Sequence, residues 1–225
     1  MRKAIIIVRS DAELDRHPAA DLARASSVIV SRTIIVRTPE CVGEAVAIAG
    51  TIMTSLLLVR NHVMVTIITP ACGETQAVVS SRDERNYIAK LEPVGLDHSE
   101  RRAIMNSYGP EGKAPERLIV HTGPIGAIGD PLFTTEARED GPVVTVAGMS
   151  TLTKVCERRE FEDTRWRMDR EPPKGQAGGG VWMISGAFVG LSLARRMPYD
   201  NPASLARERL WALPAEEVMD FAETK

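Results

Sequence analysis

The stretch that most constrains this chain is Thr33–Cys72, TIIVRTPECVGEAVAIAGTIMTSLLLVRNHVMVTIITPAC. It opens and closes on a β-branched apolar run, and each run ends in the same corner, Thr38-Pro39-Glu40-Cys41 and Thr69-Pro70-Ala71-Cys72. Between them, Val46, Ala49, Ile52, Met53, Leu56 and Leu57 follow helical spacing across Val42–Val59, and Gly43, Ala45, Ala47 and Gly50 are small enough for close packing on a sheet. Arg60-Asn61 closes that segment with a basic residue and a turn former. The stretch therefore reads as strand, helix, strand, a unit that implies parallel pairing through a right-handed crossover.

The rest of the chain continues the alternation. Lys3–Val8, Val28–Val36, Arg117–His121, Val143–Val146 and Val181–Ser185 are short β-branched runs. Asp11–Ser26 reads as a helix interrupted at Pro18. Ser80–Leu91 and Ser99–Tyr108 read as helices with stops at Pro93 and Gly109-Pro110, Ala187–Arg196 as another, and Asn201-Pro202 and Pro214 as starts of two more. The fold expected is α/β: a mostly parallel, twisted sheet of about five or six strands with helices on both faces, Rossmann-like and doubly wound, with a helical C-terminal extension. Its expected divisions are a core at 1–153, a charged arm and glycine-rich hinge at 154–180, and a strand and helical extension at 181–225 packing on the core.

Composition narrows the setting. With 44% hydrophobic residues in 225, the chain has enough apolar material for a substantial core. A net charge of −2 offers no basic field for nucleic acid or an anionic membrane. Three cysteines (Cys41, Cys72, Cys156) do not form a secreted disulfide framework, and the apolar run after Met1 is shorter than a signal peptide requires. These features point to a cytoplasmic protein. The mixed charges of Lys154–Lys174 and the tryptophans Trp166, Trp182 and Trp211 mark the 154–225 region as a candidate surface for a homo-oligomer.

In an open parallel sheet, ligands bind beyond the carboxyl ends of the strands. Those ends would hold Arg9, Asp11, Arg37, Thr38, Thr69, Thr122 and Ser150 as substrate-binding residues, the arginines clamping a carboxylate or phosphate. Cys41 and Cys72 sit at the two repeated corners, about 5 Å apart if their strands are neighbours and about 10 Å if one strand intervenes. With a thiolate stabilised at a helix N-terminus, and with His121 at another strand end, Cys72, Cys41 and His121 are the candidate nucleophile or acid–base groups. Gly123, Gly126 and Gly129 follow a strand as a phosphate-cradling loop would, although Pro124 and Pro131 remove two amide donors. Gly178-Gly179-Gly180 is not followed by Lys-Ser/Thr and so is no Walker A loop. No metal-ligand spacing is present, and no particular cofactor is implied.

The function expected is an enzyme on a small anionic metabolite. Two other readings accompany it. Val42–Val59, His62–Thr69 and Ala89–Pro93 together resemble the von Willebrand A-type domains of bacterial membrane-associated proteins. Such domains hold a metal through D-x-S-x-S after the first strand, where this chain has Arg9-Ser10-Asp11-Ala12-Glu13. The resemblance thus implies a protein-interaction module without an intact metal site. The third reading is a nucleotide-binding regulatory domain using Gly123–Gly129.

Overall fold

Ala49 and Gly50 decide the first half of the fold. In a computed structural model of the chain both have positive φ, 49° and 77°, which makes the tight reversal that suits a twisted antiparallel hairpin. The segment expected as the helix Val42–Val59 is therefore two strands, β2 (Val42–Ile48) and β3 (Thr51–Ser55), paired with Ile48 opposite Thr51, and only α2 (Leu56–Val59) is helical. The description covers residues 18–106, 120, 131–138, 141–155, 163–168, 178–183, 185–193 and 211–224.

Helical spacing misleads here because these strands are buried on both faces. Ala45, Ala47 and Ile52 point into one apolar cluster, while Val46, Ile48 and Met53 point into another. A strand with two buried faces loses the apolar–polar alternation that identifies it, and its continuous apolar run mimics a helix.

β1 (Thr33–Arg37), β2, β3, β4 (Met64–Thr69), β5 (Gly73–Asp83) and β6 (Ile88–Val94) close into a barrel in the order β1-β2-β3-β6-β5-β4, every pairing antiparallel. β7 (Pro131–Arg138), β8 (Gly141–Val155), β9 (Asp163–Met168), β10 (Gly180–Met183), β11 (Phe188–Leu193) and β12 (Trp211–Pro214) close a second, in the order β10-β11-β12-β9-β8-β7. The expected parallel Rossmann-like sheet is thus replaced by two closed antiparallel barrels. Among the described residues the one parallel pairing is the isolated bridge between Val120 and Phe188.

Other elements change with it. Ser80–Leu91, expected as a helix, is the end of β5, a turn and the start of β6; Asp83 Oδ1 accepts the Arg85 and Asn86 amides and so fixes the reversal. Ala187–Arg196, also expected as a helix, contributes β11. Val28–Val30, expected as strand, belongs to α1 (Pro18–Arg32), and the Thr33 hydroxyl donates to the Ile29 carbonyl to close that helix. α3 (His98–Asn106) and α4 (Ala215–Glu223) lie where helices were expected after Ser99 and Pro214. The charged stretch Lys154–Lys174 supplies β9, paired with β8 and β12.

The two barrels share an apolar layer. The first has its own interior, including Ile34, Val36, Ile52, Leu56, Ile67 and Leu91. Its outer face, through Val46, Ile48, Met53 and Ile88, joins Trp182, Phe188, Leu191 and Leu193 of the second barrel in one cluster, into which α1 adds Ala25 and Ile29 and α4 adds Val218. Trp182 and Phe188 meet edge to face at 5.3 Å between ring centroids. No helix among the described residues is long and apolar enough to cross a membrane.

Candidate functional site

Three chain segments far apart in sequence converge on the seam between the barrels. The first is the β3–α2 junction, where Thr54 and Ser55 are fully buried. The second is the β5–β6 turn, whose Tyr87 carbonyl accepts the Leu56 amide at 2.7 Å. The third is Gly178-Gly179, leading into β10. A Cβ at Gly178 would overlap the Glu44 carbonyl oxygen and Thr54 Oγ1 and come within 2.7 Å of the Ser55 nitrogen; one at Gly179 would overlap the Glu44 carboxylate. This approach of backbone to backbone is open only to glycine.

Local hydrogen bonding holds the convergence in place. Gly178 N–H donates to the Ser192 carbonyl and Ser192 N–H donates to the Gly179 carbonyl, each at 2.8 Å, so β11 fixes the strip from its own barrel. From the other barrel, Thr54 Oγ1 donates to the Glu44 carbonyl at 2.6 Å. Thr33 of β1 and Thr135 of β7 also meet across the seam, hydroxyl to hydroxyl at 3.4 Å. Arg32, at the end of α1, donates to the Ala47 carbonyl at 3.4 Å, and burial pushes its guanidinium down to about 10. Tyr87 takes φ of 57°, a conformation that strains a bulky side chain.

The seam's chemistry is sparse in catalytic groups. Ser55 Oγ and Trp182 Nε1 are buried without a hydrogen-bond partner. Of the two described histidines, His62 donates Nε2 toward Glu40 Oε2 at 2.9 Å, and His98 begins α3. Among the described residues no histidine bonds to a hydroxyl or thiol, and no three His, Cys, Asp or Glu side chains gather to hold a metal.

The residues singled out from sequence are distributed elsewhere. The two Thr-Pro-x-Cys corners are a true structural repeat: the Cys41 amide donates to Thr38 Oγ1 at 3.1 Å, and the Cys72 amide to Thr69 Oγ1 at 3.0 Å. Each closes a hairpin turn, β1–β2 and β4–β5. However, β1 and β4 run antiparallel, with Ile35 opposite Ile68 and Arg37 opposite Thr66, so the corners leave the pair in opposite directions. Cys41 and Cys72 cap opposite ends of the first barrel. Burial, and then the Glu100 charge, raise the Cys72 thiol above its ordinary range. Arg37 pairs with Glu74 at 3.4 Å on the surface. Ser150 lies in β8, opposite Met168. Arg9, Asp11, His121, Thr122, Gly123, Gly126 and Gly129 lie outside the described residues. The structure brings Arg37, Thr38 and Cys41 to one barrel end and Thr69 and Cys72 to the other.

From sequence, Gly178–Gly180 reads as the end of a glycine-rich hinge and not as part of a site. The available signal was three glycines directly before an apolar strand, which demand close backbone approach rather than phosphate binding.

No family model and no curated protein matches the chain. Solved structures do. The HtrA-type protease AlgW, solved with a tripeptide, superposes with a TM-score of 0.65 at 15% identity, over 88% of this chain and 61% of that one. The inactive form of Rv3671c protease from M. tuberculosis, a Ser343Ala mutant, gives 0.60 at 18% identity over 96% and 94%. The MamO protease domain from Magnetospirillum magneticum gives 0.59 at 15% over 86% and 97%. This chain thus spans about three fifths of the AlgW structure and nearly all of the other two. These likenesses establish the fold as that of the barrel proteases. They overturn the expected Rossmann-like enzyme on a small anionic metabolite, the von Willebrand A-type module and the nucleotide-binding regulatory domain, all of which need a parallel sheet that the Ala49-Gly50 reversal and the closed barrels exclude.

Proposed function

We propose that this chain is a protein of protease architecture that engages polypeptides without cleaving them through a serine–histidine–aspartate relay. Proteases of the chymotrypsin barrel type draw the relay in the chain order histidine, aspartate, serine. Three segments meet at the seam here in chain order, and their content carries the proposal. The first reads Ser55-Leu56-Leu57-Leu58-Val59, the second Asn86-Tyr87, and the residues leading into the third are Gly175-Gln176-Ala177.

None supplies the required group. α2 is wholly aliphatic, so it places no imidazole beside the β3 end. Asn86-Tyr87 carries no carboxylate, and Asp83, at the end of β5, is occupied by the Arg85 and Asn86 amides. No serine, threonine or cysteine stands between Gly175 and Gly180. Ser55 is sealed from solvent, and a hydroxyl without a neighbouring base is a poor nucleophile. Polypeptide as the ligand class follows from the fold likeness. Cys41 and Cys72, free thiols at separate barrel ends, fit a reducing compartment such as the cytoplasm.

The test incubates the full chain with an unfolded protein and a peptide library, reading cleavage by mass spectrometry and binding by fluorescence anisotropy. Saturable binding with no new termini is expected. Cleavage that a serine-directed inhibitor abolishes would overturn the non-proteolytic part; absence of binding to every polypeptide would overturn the rest.

A further inference from the structure

We propose that Lys90 of the first barrel is a charge-dependent latch on the C-terminal turn of α4, making that helix a strap across the two barrels. α4 leaves β12, the last strand of the second barrel. Its first turn carries Glu216 and Glu217, matched to the positive end of the helix dipole, but its last turn carries no basic residue to match the negative end. Lys90, on β6, supplies that cation from the other barrel. Its Nζ donates to the Thr224 carbonyl, the C-cap of α4, at 2.5 Å and lies 4.7 Å from the centroid of the Phe221 ring.

The two halves of α4 are held differently. Ala215, Val218 and Met219 are buried in the apolar layer between the barrels, so the first turns stay docked by packing alone. Phe221 and Ala222 are only partly buried, and the ammonium contributes much of what fixes them. Burial lowers the Lys90 pKa, consistent with an ammonium drawn partly out of water by the helix end. β6 begins directly after Tyr87, so the latch ties the end of α4 to the strand that borders the seam.

Lys90→Met keeps the aliphatic stem over Phe221 and removes the charge and the donor; Lys90→Arg keeps a cation. Amide exchange read by residue-resolved NMR on the full chain separates the outcomes. Lys90→Met is expected to raise exchange in Phe221–Thr224 about two- to fivefold, the range of a cation at a helix C-terminus, with β6 unchanged and with Lys90→Arg near wild type. Unchanged exchange at Phe221–Thr224 in Lys90→Met would overturn the latch. So would an equal rise throughout both barrels, which would mean that Lys90 serves global stability instead.

Discussion

The Leu56 amide donates to the Tyr87 carbonyl at 2.7 Å, across 31 positions of sequence. This bond joins the end of β3 to the start of β6 at the point where Gly178 reaches over from the second barrel. What meets at this point is a backbone bond, aliphatic side chains and glycine.

Gly178→Ala is expected to be among the costliest single substitutions at the seam. It combines a φ of 95° with overlap onto the Glu44 carbonyl, for a loss of roughly 2–5 kcal/mol. Gly73→Ala has a φ of 69° but open space around it, and should lose about 1–2 kcal/mol. Urea denaturation of both variants checks the order; equal losses would show that the seam is looser than described.

Ser55→Ala should stabilise the protein by about 1 kcal/mol, because it removes a buried hydroxyl that has no hydrogen-bond partner. A lower denaturation midpoint in this variant would show that the hydroxyl is satisfied in solution.

Trp182→Ala should cost about 3–5 kcal/mol, since Trp182 fills the layer shared by the barrels and is fully buried. Its edge-to-face contact with Phe188 predicts that the double substitution costs less than the two single losses added, by about 0.5–1.5 kcal/mol. A double-mutant cycle measures the difference, and strict additivity would contradict the contact.

Asp97 should make α3 acid-sensitive. The Ser99 hydroxyl and then the Glu100 amide hold its carboxylate below the ordinary 3.8. A depressed carboxylate contributes stability above its unfolded value, and that contribution fades as pH falls from there through the folded value. Protection factors in His98–Asn106, exchange rates corrected for the intrinsic pH dependence of amide exchange, should therefore fall on acidification below about pH 4, and Asp97→Ala should remove that acid response while lowering protection at neutral pH.

Much of the local chemistry was legible in the sequence, and the topology was not. The Thr-Pro-x-Cys corners were recognisable as equivalent turns because the Thr hydroxyl and the Cys amide sit at fixed spacing. The starts of α3 and α4 were readable from Asp97-His98-Ser99-Glu100 and from Pro214 before paired glutamates. The barrels were hidden because Gly43–Ile48 and Ile52–Ser55 are buried on both faces, which erases period two. The reversal between them rests on Ala49-Gly50, and alanine at the first turn position gives no warning of a positive φ. A helix at that position implies parallel pairing, which would set opposite barrel ends on one rim. The seam was illegible for a different reason: its members come from three distant segments, and its glycines act by what they leave out.

The central claim is most directly tested by treating the full chain with a fluorophosphonate probe, which traps an activated serine covalently. Intact mass is read beside HtrA-type AlgW as a positive control. The account predicts an unmodified mass for this chain under conditions that label the control completely. A stoichiometric adduct on any serine, accompanied by loss of peptide cleavage, would contradict it.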